Sequence, residues 1–110
     1  MIQEIKTTEE YKNIITTNKF IVIHFWAAWN RYDLTMRERL EELNTKFKGT
    51  VVFFGVNVDL LDLVDLIRNA KVCNIPALAY YHNGNLLETI IGLMSANQIQ
   101  RRINTILNAN

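Results

Sequence analysis

Few side chains in this sequence are equipped for covalent or proton-transfer chemistry. The chain has one cysteine, Cys73, and two histidines, His24 and His82. A single thiol excludes an internal disulfide and any cysteine-cluster metal site. Cys73 reads as an inert thiol packed near a helix end. As a reactive group it would be glutathionylated or form an intermolecular disulfide, with Lys71 close by in sequence to favour the thiolate. His24 sits in an apolar run, which suits a core histidine. The alternative is a hydrolytic acid/base pair with Asp33, but no serine or cysteine nucleophile stands beside it. Asp59, Asp62 and Asp65 recur every three residues and read as a solvated helix stripe rather than cation ligands. His82 reads as a surface residue at a hairpin end. Neither a metal site nor a cofactor is expected.

The elements that would position these groups follow from periodicity and punctuation. Ile2 to Lys6 is a short strand. Thr7-Thr8-Glu9-Glu10 is a capping box, followed by a helix that buries Tyr11, Ile14 and Ile15. Phe20 to Trp26 is almost continuously apolar, the pattern of a strand covered on both faces. A helix from about Asn30 to Phe47 repeats Met36, Leu40, Leu43 and Phe47 on one side, with Gly49 as its stop. Val51 to Val58 is a further buried strand. Asp59 opens a third helix, with Leu60, Leu63, Val64 and Ile67 as its core stripe and Leu61 and Leu66 pointing partly outward. Ala77 to Tyr81 and Leu86 to Ile91 flank Asn83-Gly84, a hairpin signal. Ser95 with Gln98 caps a last helix that packs through Ile99, Ile103, Ile106 and Leu107. The order β-α-β-α-β-α-β-β-α predicts an α/β fold, a central mixed sheet with helices on both faces. No repeat or linker divides the chain, so residues 1–110 read as one domain.

Composition narrows the function. The formal net charge is +1, from 12 basic and 11 acidic residues. That leaves no basic excess for phosphates and no polybasic segment for an anionic membrane, so neither nucleic acid nor membrane is an expected partner. The N-terminus lacks the apolar region of a signal peptide and the longest apolar run, Phe20 to Trp29, is too short to span a bilayer. A cytoplasmic protein is the expectation.

The landmarks of this order resemble the thioredoxin family. Phe25-Trp26-Ala27-Ala28-Trp29 is similar to the Phe-Trp-Ala-x-Trp that precedes Cys-Gly-Pro-Cys in that family. Val56-Asn57-Val58-Asp59 resembles its third-strand end, and Asn74-Ile75-Pro76 the turn with its cis-proline. Asn83-Gly84 matches its hairpin, and Ile91-Gly92 its glycine facing the active site. The resemblance implies a thioredoxin fold, a mixed five-stranded sheet flanked by four helices.

It also implies a lost reaction. Dithiol exchange needs a low-pKa thiolate and a second thiol to resolve the mixed disulfide. The four positions after Trp29 are Asn30-Arg31-Tyr32-Asp33, with Asn30 in place of the attacking cysteine and Asp33 in place of the resolving one. His24 stands where the family carries its buried aspartate, and Gly55 where it carries the lysine partner of that aspartate. Asn30 is a strong N-cap and Asp33 suits the positive end of a helix dipole, so both read as a helix start selected for stability.

The family's substrate groove has counterparts at Trp29, Val58, Ile75, Pro76 and Gly92, with Tyr32 in place of a proline. The expectation is a non-catalytic module that holds a protein or extended peptide there. Two alternatives stand beside it. One is a single-thiol or glutathione-linked protein using Cys73. The other is a structural subunit docking or self-associating through the third helix at Leu61 and Leu66.

Overall fold

A computed structural model of the chain describes residues 1–109. Its elements are β1 (Gln3–Glu4), α1 (Thr8–Thr17), β2 (Phe20–Trp26), α2 (Arg31–Lys46), β3 (Val52–Asn57), a short 3-10 helix (Leu61–Leu63), α3 (Val64–Asn69), β4 (Ala77–His82), β5 (Asn85–Ile91) and α4 (Ala96–Asn108). The sheet order is β1-β3-β2-β4-β5. β3 runs parallel to β1 and β2, whereas β4 is antiparallel to β2 and to β5.

Alternation along β2 divides the core. Ile21, Ile23 and Phe25 point to one face, where Leu63 and Leu66 are buried and Tyr11, Ile14 and Ile15 of α1 pack. Phe20 and Val22 point to the other, against Met36, Leu40 and Leu43 of α2 and Ile99, Ile103 and Ile106 of α4. Because both faces are covered, every residue of β2 except Trp26 is buried, as its unbroken apolar run predicts.

The helix starts follow their local chemistry. Thr7 Oγ1 accepts from the Glu10 N–H at 3.0 Å, while the Glu10 carboxylate accepts from Lys6 N–H rather than closing back on Thr7. Ser95 and Gln98 form a full reciprocal capping box. At the β4–β5 turn Asn83 and Gly84 both take positive φ, 52° and 84°, which is what an Asn-Gly hairpin turn demands.

Several positions fall differently from their sequence expectation. The third helix is broken into a 3-10 turn and a six-residue α-helix. That change of pitch turns Leu66 inward, to 3% exposure, and leaves Leu60 and Val64 outside at 38% and 51%. Only Leu61, at 87% exposure, points outward as expected of the Leu61 and Leu66 pair. His82 is buried, because β4 extends one residue further and sets its ring edge-on to Phe20. Cys73 is exposed, in the loop between α3 and β4, rather than packed near a helix end.

Candidate functional site

The candidate site forms where β2 hands over to α2. After Trp26 the chain turns so that Asn30 N–H donates to the Ala27 carbonyl at 3.1 Å. Asn30 takes extended backbone angles and caps α2, its Oδ1 accepting from Tyr32 N–H at 2.9 Å. Its other end, Nδ2, donates to the Ile75 carbonyl at 3.4 Å. One amide thus ties the helix start to the loop before Pro76, where the Ile75–Pro76 bond is cis.

Asp33 does more than face the helix dipole. One carboxylate oxygen lies 3.0 Å from His24 Nε2 and the other accepts from Ala27 N–H at 3.1 Å. Both residues are 3% exposed. The two side chains satisfy one another where neither meets solvent. The pair holds β2, the β2–α2 turn and the first turn of α2 in one arrangement. An open cavity of about 280 Å³ borders it, and its lining includes Asn30, Asp33, Arg31 and Arg37 but no serine, threonine, cysteine or lysine. The His24–Asp33 pair exists, and the lining brings no serine, threonine or cysteine beside it to activate.

Gly55 is not simply a missing lysine. It lies in register between His24 of β2 and Glu4 of β1, and a Cβ there would collide with the Glu4 carboxylate. Glu4 fills this space and accepts from Trp26 Nε1 at 2.7 Å, while Arg37 lies over the Trp26 ring at 4.4 Å. Sequence reading missed Glu4 and Arg37. A glycine inside a buried strand was the available signal, since it marks close approach of another group.

Hydrogen bonds join some of the expected groove positions, and Pro76 itself is buried rather than part of an exposed surface, because its strand continuation is covered by the sheet. Pro76 accepts from Gly92 N–H at 2.8 Å. Trp29, 70% exposed, donates Nε1 to both oxygens of Asp59, which places it beside the end of β3 and the half-buried Val58. Tyr32 is half exposed, with the Arg31 guanidinium over its ring at 5.1 Å and donating to its hydroxyl. Ile75 is half-buried, and its N–H donates to the Asn74 side chain at 2.9 Å. Among the described residues no group of three or more His, Cys, Asp or Glu gathers to hold a metal, and no helix is long and apolar enough to cross a membrane.

Asn30→Ala should cost about 1–2 kcal/mol, since it removes the cap and the Ile75 tie together. Asn30→Ser should recover most of the cap component but not the tie. Urea denaturation of the three proteins checks this, and an unchanged midpoint for Asn30→Ala would contradict it.

The Thioredoxin family model matches residues 3–105. A thioredoxin of Coprinus comatus is 27% identical over 93 residues, 84% of this chain and 86% of that protein. Thioredoxin H8 of Arabidopsis thaliana is 30% identical over 107 residues, 94% of this chain and 70% of that one. Among solved structures, oxidised mitochondrial thioredoxin 3 of Saccharomyces cerevisiae superposes with a TM-score of 0.84 at 25% identity, covering 94% of each chain. The fold is the thioredoxin fold, with its five-stranded mixed sheet and four helices. A match across nearly the whole chain, the sheet order and the landmark positions agree: this chain belongs to the thioredoxin family.

Proposed function

We propose that this chain is a thioredoxin-family protein that holds a protein or extended peptide instead of exchanging disulfides with it. The observation that carries the reading is the use made of the two motif positions. Asn30 caps α2 and binds the Ile75 carbonyl, and Asp33 is bonded inside the protein to His24 and Ala27. Neither position offers a thiol, and the only thiol in the chain, Cys73, has no second one to resolve a mixed disulfide. Trp29 and Tyr32 stay exposed on either side in sequence of Asn30, whose side chain binds the Ile75 carbonyl, and amphipathic aromatics are the side chains that anchor interfaces most often. A partner strand pairing with Ile75 would displace the exposed Asn74 amide from its N–H, while the carbonyl keeps a lone pair beside Asn30.

The test has two arms. With thioredoxin reductase or glutathione as electron source, the protein should reduce a disulfide substrate no faster than the protein-free control. Capture on the immobilised protein should be independent of reductant and weakened by Ile75→Asp. The exposure of Cys73 favours a second reading, a single-thiol protein. Turnover or capture that Cys73→Ser abolishes would establish that reading and overturn the first.

A further inference from the structure

The segment after β3 has a three-residue rhythm that its backbone turns into stripes. In a 3-10 helix side chains at i and i+3 eclipse one another. Leu63 and Leu66 point inward and are buried, whereas Leu60, 38% exposed, lies outside. Leu61 and Val64 form an outward apolar stripe, 87% and 51% exposed. Asp62 and Asp65 form an exposed acidic pair three residues apart beside it, and Asp59, set before the helix by the extended Leu60, is exposed as well. Asp59 is already engaged, its carboxylate accepting from the exposed Trp29 indole N–H. Arg68 is the only basic residue between 59 and 70, and it reaches Asp65 at 3.8 Å with both side chains mostly in solvent. The surface is held in place. Asn57 accepts from the N–H groups of Asp59 and Leu60, and Thr8 of α1 donates to the Asp62 carbonyl.

We propose that this striped surface, residues 61–65, docks a basic amphipathic helix of a partner protein. Such a helix carries apolar residues and lysines or arginines on adjoining faces at three- and four-residue spacing, which matches adjoining apolar and acidic stripes. The sign of the charge selects among occupants. Three carboxylates repel an anionic membrane, and an isologous second copy would bring two acidic stripes together. An extended strand finds no sheet edge here, since the edges are β1 and β5.

The probe is a synthetic leucine–lysine amphipathic helix of about 14 residues, four turns, titrated into the isotopically labelled full chain. A glutamate-for-lysine peptide is the control. Amide shifts should centre on residues 61–65. Affinity should fall about tenfold in Leu61→Ser, which removes apolar contact, and about tenfold in Asp62→Asn with Asp65→Asn. It should weaken further at about 0.5 M salt, where the Debye length is only a few ångströms. These side chains are exposed, so the variants should keep the parent melting temperature. Ile75→Asp should leave the peptide affinity unchanged, which separates this surface from the groove. Equal binding of the glutamate peptide, shifts centred on Ile75 and Gly92, or no binding would each overturn the proposal. So would concentration-dependent dimerisation lost in Leu61→Ser, or binding to anionic vesicles that the same variant abolishes.

Discussion

Replacing Asp33 with alanine is expected to cost about 3–5 kcal/mol of folding stability, the range for breaking a buried ionic or charge-assisted pair by removing one partner. Both carboxylate oxygens are engaged, one with His24 Nε2 and one with the Ala27 N–H, at a site only 3% exposed. Alanine leaves a buried imidazole and a buried backbone donor without acceptors, and each such orphan costs about 1–3 kcal/mol. Asp33→Asn keeps the shape and one acceptor, so it should lose about half as much. Adding His24→Leu to Asp33→Asn should recover part of that loss, because an apolar side chain has no partner to lose. Urea denaturation of the four proteins gives the comparison. A loss below about 1 kcal/mol for Asp33→Ala would mean that Asp33 contributes only its charge at the helix N-terminus.

Leu66→Asp should lose more than about 4 kcal/mol and abolish cooperative unfolding, whereas Leu61→Asp should stay within about 0.5 kcal/mol of the parent. Leu66 packs in the cluster of Ile5, Leu63 and Ala70, where a carboxylate has neither water nor a cation. Leu61 lies in solvent one stripe away. A loss of partner binding in Leu66→Asp would therefore report unfolding, and Leu61 is the position that can report docking. Thermal denaturation by circular dichroism distinguishes the two, and a Leu66→Asp protein that melts like the parent would refute the burial assigned to it.

Much of the fold was legible because its signals are local. Thr7, Asn30 and Ser95 announce helix starts by their own side-chain chemistry, and Asn83-Gly84 announces a turn through its backbone freedom. The strand Phe20–Trp26 declared its double burial by lacking polar alternation. The third helix was misread because an α-helical period assigns Leu60 and Val64 to the core. A 3-10 start, which no residue in Leu61–Leu63 demands, rotates the stripe onto Leu63 and Leu66. His82 and Cys73 were misplaced for a related reason. One extra strand residue buries the first, and a place in the loop between α3 and β4 exposes the second.

The sequence alone determined that no dithiol mechanism is available, since one cysteine cannot be both attacking and resolving thiol. It also determined the order of elements. The use made of the vacated positions was decided only in three dimensions. Asn30 meets Ile75 across 45 residues, Trp29 meets Asp59 across 30, and Glu4 meets Trp26 across 22. Pairs so distant are brought together by strand order and register, which side-chain identity along the chain does not encode locally. The opening left by Gly55 is likewise filled from β1, an element that becomes its neighbour only because β3 lies between β1 and β2.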